Sequence, residues 1–144
     1  MSVFKESDGY KIIENWLAEK DQTPFSFQLK TWHKYSNGYY GMVVAPTGFG
    51  KTFSVFLAVV IDYLNTRESY KKGLKLIWVS PLRSLAKDLA KAMSQAVDDL
   101  GLDWTVETRN GDTPQKDRRR QERLMPRCVI NDSGNHASII FTEK

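Results

Sequence analysis

The stretch Ala45-Pro46-Thr47-Gly48-Phe49-Gly50-Lys51-Thr52 constrains this chain more than any other, because it sets a glycine-bearing loop ending in Lys-Thr between two apolar runs. Tyr39 to Val44 (YYGMVV) is short and β-favouring, as a buried strand requires, and Phe53 to Leu64 (FSVFLAVVIDYL) is apolar enough for a packed helix. A loop that wraps a polyphosphate must bring backbone N–H groups close to it and accept unusual dihedrals, which Gly48 and Gly50 permit. Lys51 is then placed to reach the β- and γ-phosphates and Thr52 to put its hydroxyl on Mg²⁺, while the helix N-terminus adds its positive dipole end. The strict pattern G-x-x-x-x-G-K-[ST] is missed only at its first position, where Ala45 stands. The bland alternative is a glycine-rich turn with a solvated lysine.

Composition narrows the classes. A chain of 144 residues, 41% hydrophobic and 12% aromatic, is long enough for one domain with a core. Cys128 is the only cysteine, and His33 and His136 the only histidines, which excludes an intramolecular disulfide and a Cys/His zinc cluster. No apolar run has the length of a membrane span, and the first residues lack the apolar segment of a signal peptide, so a soluble cytoplasmic protein in a reducing compartment is expected. The net charge is +4, and Lys116, Arg118, Arg119, Arg120, Arg123 and Arg127 against Asp117 and Glu122 account for all of it. That cluster suits either a solvated helix face or a phosphate-backbone contact.

In chain order, Ile12, Ile13, Trp16 and Leu17 fall at helical spacing and predict an amphipathic helix over 9–20. A turn at Pro24 and a short helix to Asn37-Gly38 follow, containing Phe25, Phe27 and Gln28. A carboxamide both donates and accepts, which matches the adenine N6/N7 edge, and Phe25 or Phe27 could pack on the base or simply form an aromatic core. Leu74 to Ser80 predicts a second buried strand, ended by Pro81, and Ser84 a helix N-cap for Leu85 to Leu100, which Gly101 closes. Trp104 to Arg109 predicts a third strand, before the turn-forming Asn110-Gly111-Asp112-Thr113-Pro114. Repeated strand-then-helix units argue for an α/β fold with a parallel sheet.

Taken together, PFSFQ at 24–28, APTGFGKT at 45–52, SPLRSLAKDL at 80–89 and WTVETRNGDT at 104–113 resemble, in order, the motifs of the DEXH-box superfamily 2 DNA helicases, in the large-helicase-related group and its ligase-associated branch. Superfamily 2 members carry Ala where this chain has Ala45, usually with a small residue where it has Phe49. The resemblance covers about 24–127 and implies a RecA-like P-loop domain with a mostly parallel sheet flanked by helices, preceded by a helical region over 1–23. It implies ATP and Mg²⁺ as cofactors, with Gln28, Thr47, Gly48, Gly50, Lys51 and Thr52 as their binding residues and Thr52 on the metal. It implies DNA as partner, with RNA as a second candidate and DNA repair proteins as associates, and no sign of an oligomer. Pro81 and Arg83 match a strand-gripping motif, and Gly111, Asp112 and Thr113 a neighbouring one, both contacting the phosphates of a DNA strand.

The chain departs from the family after 127. A Thr-Thr-Pro-Glu-like DNA contact and an Asp-Glu-x-His box, whose Asp holds Mg²⁺ and whose Glu orients the attacking water, are not in the sequence. Read one nucleotide later, codons for Cys128 onward permit Leu-Leu-Thr-Thr-Pro-Glu, so 128–144 is expected to be an atypical, out-of-frame end in which Asn131, Asp132 and His136 have no function. The expectation is a truncated helicase motor domain that binds nucleotide and a DNA strand without catalytic residues and does not unwind. Its rivals are a nucleic-acid-binding module that uses Arg83 and Arg118 to Arg120 beside a vestigial nucleotide site, a P-loop NTPase unrelated to helicases, and an unstable pseudogene-like fragment.

Overall fold

The structure is a computed structural model that describes residues 1–46, 48, 50–69, 73–124, 126–132 and 139–142. Thr47, Phe49 and His136, each named above, lie outside the described residues. The chain divides into two units, Met1–Tyr70 and Lys71–Lys144.

The first unit is helical: α1 (Ser2–Lys5), α2 (Asp8–Ala18), α3 (Ser26–Ser36) and α4 (Lys51–Thr66). Helix α2 starts where the Ser7 hydroxyl accepts the Tyr10 N–H at 3.4 Å, and it buries Tyr10, Ile13, Trp16 and Leu17. Gly9 lies so close to α4 that a Cβ there would collide with the Ile61 carbonyl oxygen, and its N–H donates to Asn65 Oδ1 at 2.7 Å. Helix α4 packs against α2 and α3 and buries Phe56, Leu57, Val59, Val60, Ile61 and Leu64. Each such side chain contributes about 1.5–3 kcal/mol, so α4 is the core of this unit. It is also longer at both ends than the predicted 53–64, and at its start this is because Gly50, as N-cap, leads straight into the first turn.

The strand predicted over Tyr39–Val44 does not form. Residues 39–46 carry no ladder among the described residues, and Tyr40, Met42 and Val44 are 101, 87 and 79% exposed. The reason is that a strand, unlike a helix, has no internal hydrogen bonds and exists only beside a neighbour.

The second unit is α/β: β1 (Leu76–Ser80), α5 (Arg83–Asp99), β2 (Val106–Arg109), α6 (Gln115–Arg123), β3 (Cys128–Asp132) and β4 (Ile139–Thr142). The sheet order is β2-β3-β1-β4. Strand β3 runs parallel to both neighbours, with Leu76 and Val106 opposite Cys128 and Trp78 and Thr108 opposite Ile130, while β4 is antiparallel to β1. The predicted parallel crossover is therefore present, with β3 inserted between the strands that α5 connects.

Helix α5 lies on β1, β2 and β3 and buries Ala86, Leu89, Met93, Ala96 and Val97. It begins at Arg83, ahead of the predicted Ser84 cap. Extended Leu82 is the N-cap, and its carbonyl accepts the Ala86 N–H at 2.9 Å with no side-chain cap. The helix ends as predicted at Gly101, whose φ of +61° lets Leu102 N–H reach the Val97 carbonyl and Gly101 N–H the Asp98 carbonyl, both at 3.0 Å.

The stretch from Cys128, expected to be an atypical tail, supplies the central strand. Cys128 and Ile130 are fully buried in alternation, as a strand covered on one face requires.

Candidate nucleotide and nucleic-acid sites

Gly48 and Gly50 have φ of +82° and +77°, the left-handed region in which a side chain is strained. Gly50 is the N-cap of α4, so the chain turns from the loop into the helix through that residue. The first bond of the helix is Ser54 N–H to the Gly50 carbonyl at 3.0 Å. The N–H groups of Lys51, Thr52 and Phe53 therefore have no acceptor among the described residues. Lys51 is exposed, and its Nζ donates to the Ala45 carbonyl at 2.8 Å, folded back across the loop. Thr52 is half-buried beside it, and its hydroxyl makes no hydrogen bond among the described residues.

Free N–H donors at a helix start, a cation one residue away and a spare hydroxyl fit a polyphosphate with its divalent cation. The Lys51–Ala45 bond is one that a phosphate oxygen can replace. Among the described residues no cluster of three His, Cys, Asp or Glu could itself hold a metal ion.

Gln28 joins this loop from α3. It is 7% exposed, its Oε1 accepts the Phe25 N–H at 2.9 Å, and its Nε2 donates to the Gly50 carbonyl at 3.1 Å. A carboxamide has two N–H donors and two acceptor lone pairs, so one of each remains after these bonds. The rings of Phe25 and Phe27 stack on each other at 5.8 Å, and Phe25 is exposed. That Gln28 is tied to the loop backbone had no signal in the sequence, since the two residues are 22 positions apart.

In the second unit the two motifs read separately from the sequence meet. Pro81 ends β1, and Arg83, in the first turn of α5, forms an ion pair with Asp112, both side chains being mostly exposed. Asp112 sits in a turn organised by Asn110, whose Oδ1 accepts the Asp112 N–H at 3.0 Å and whose own N–H donates to the Thr113 hydroxyl at 2.8 Å. Arg118 of α6 clamps this turn, donating to the carbonyls of Asn110, Gly111 and Thr113 at 2.9, 3.0 and 3.1 Å. A shallow cleft of about 440 Å³ opens there, lined by Arg109, Gly111, Thr113, Arg118, Arg119 and Glu122. Sequence reasoning missed Arg118 as a brace; the only hint was its place one helical turn beyond Pro114.

Burial raises the Cys128 thiol from its ordinary 9.0 to about 12, which keeps it protonated and inert. Tyr10 rises from 10.0 to about 12 through burial and its hydrogen bond to Glu14. Neither lies in the sites described. Among the described residues no helix is long and apolar enough to cross a membrane.

A family model described as DEAD/DEAH box helicase matches residues 25–144. The chain is similar to the Lhr helicase/uracil glycosylase of Escherichia coli (strain K12), 28% identical over 133 residues, which is 81% of this chain. It is also similar to the Lhr helicase/probable uracil glycosylase of Mycolicibacterium smegmatis, 30% identical over 83% of this chain. The chain spans 9% of the length of each of these relatives. Among solved structures, that of Mycobacterium smegmatis helicase Lhr bound to ssDNA and AMP-PNP is 27% identical, with a TM-score of 0.61 over 86% of this chain and 16% of that one.

Proposed function

The chain belongs to the DEAD/DEAH box helicase family and has the α/β RecA-like fold of a superfamily 2 domain related to the Lhr helicases, and on that premise we propose that it binds ATP with Mg²⁺ and grips the phosphate backbone of a DNA strand. The observation that carries the reading is the start of α4, where N–H groups without an acceptor among the described residues, Lys51 and the Thr52 hydroxyl converge behind left-handed Gly50. With nucleotide bound, Lys51 would exchange the Ala45 carbonyl for the β- and γ-phosphates, Thr52 would hold the cation, Thr47, Gly48 and Gly50 would belong to the phosphate-binding loop, and Gln28 would offer its remaining donor and acceptor to adenine. A cation held there would supply charge neutralisation to the polyphosphate.

On the nucleic-acid side, Arg83 and the backbone at Pro81, Gly111 and Thr113 take the phosphates, and Asp112 holds Arg83 when no strand is bound. The ordered motifs favour the DEXH-box, ligase-associated branch. No residue of this chain is assigned to orient an attacking water, and the proposal concerns binding.

Titration of a labelled single-stranded oligonucleotide tests the strand grip. Arg83→Ala lowers affinity and flattens the dependence of log K on log salt by about 0.7, the share of one phosphate contact on a single strand. Equal affinity and slope in the two proteins contradict it, and tighter binding of the matching RNA changes the substrate class.

A further inference from the structure

Helix α6 carries most of the chain's excess positive charge, and its arginines are not equivalent. Arg118 is committed to the three carbonyls of the 110–113 turn. Arg120 reaches Glu107 at 3.2 Å and Asp117 at 4.0 Å, and Glu122 pairs with Arg109 at 3.8 Å. The carboxylates of α6 are thereby used. Lys116, Arg119 and Arg123 are exposed and have no acidic partner among the described residues.

These three do not point at random. At about 100° per residue, Lys116, Arg119 and Arg123 fall within a stripe of roughly 60° on α6, opposite Gln121. Gln121 is the helix's one buried side chain and donates to Glu107 at 2.7 Å. The stripe is about 10 Å long, which is enough to follow more than one phosphate of a strand that rises about 3.4 Å per nucleotide. Midway along it, Arg119 lines the same cleft as Gly111 and Thr113. A charge run is usually a solvated face; here the helix retains one unneutralised stripe, and that stripe adjoins a turn already assigned to phosphates.

We propose that Lys116, Arg119 and Arg123 form a second phosphate-binding track, which carries the nucleic-acid strand onward from the 110–113 turn along α6. The inference rests on the strand-binding reading above and adds a surface to it. Arg118, although central in the sequence cluster, is a positioning residue that holds the turn to which the track connects. The track binds by charge and is indifferent to base sequence.

The experiment is titration of the full chain with a fluorescein-labelled oligothymidylate at several salt concentrations. The Lys116→Ala/Arg119→Ala/Arg123→Ala variant is compared with Arg83→Ala and with a charge-matched Lys5→Ala/Lys30→Ala/Lys91→Ala control, all checked for folding by circular dichroism. Removing three contacts on a single strand flattens the log K against log salt slope by about 2 and weakens binding about tenfold or more at 0.1 M salt, with the control close to wild type. A track variant that binds like wild type while Arg83→Ala is weakened overturns this inference and leaves the strand grip standing. Equal losses in track and control variants also overturn it, because only net charge would then matter. If the wild-type chain binds no oligonucleotide, both readings fall together.

Discussion

At the scale of residues, the chemistry turns on pairs in which a protein group stands where a ligand would be. Asp112 is one: its carboxylate meets the Arg83 guanidinium, the group assigned to a phosphate. Both side chains are largely exposed, so the pair contributes below about 1 kcal/mol to folding and a phosphate can displace it at little cost. Asp112→Asn therefore leaves thermal stability almost unchanged and tightens oligonucleotide binding severalfold; weaker binding would make Asp112 a direct contact rather than a competitor. Gln28 is the contrasting case, buried and bonded to backbone at both ends. Gln28→Leu removes the carboxamide acceptor of the Phe25 N–H and one of the two donors to the Gly50 carbonyl, which keeps its bond from Ser54 N–H, and costs about 1–3 kcal/mol. Thermal melts and ATP titration should both show its loss, whereas Lys51→Ala, at an exposed site, should affect only ATP. A Gln28→Leu protein as stable as wild type would contradict the role of Gln28 as the tie between α3 and the loop.

At the scale of elements, helices were legible in the sequence and strands only partly. The periodic placement of Ile13, Trp16 and Leu17, or of Leu89, Met93 and Ala96, specifies a helix face because helix hydrogen bonds are local. Gly101 announced its cap for the same reason. Strand formation depends on partners remote in sequence, which is why Tyr39–Val44, apolar and β-branched enough, stays unpaired while Cys128 to Asp132 is enlisted between β1 and β2. The loop glycines, Lys51 and the 110–113 turn were readable as local signals; the Gln28–Gly50 and Arg118 bonds were not. Strand β3 offers its own test through Cys128. With its thiol raised from 9.0 to about 12, the folded state holds the proton that the unfolded chain releases earlier. Stability from this group is therefore intact below about pH 9 and is lost as pH rises towards 12. Near neutral pH the thiol should react with a disulfide reagent only at the rate of unfolding, and immediate labelling of native protein would show that β3 is not in the sheet.

At the scale of the whole molecule, a family helicase fold and two candidate sites are joined in a chain that spans a small part of its relatives' length. Exposed Tyr40, Met42 and Val44 add apolar surface on a segment of β-favouring sequence, an invitation to intermolecular pairing. Nucleotide binding, by contrast, depends on the loop before α4. Calorimetric titration of the chain and of Lys51→Ala with Mg-ATP and Mg-GTP tests it most directly. The wild-type chain should bind ATP saturably and GTP about tenfold or more weakly, the order of one lost tenfold step or about 1.4 kcal/mol, and Lys51→Ala should bind neither. Equal binding by the two proteins, or none by the wild-type chain, would contradict it.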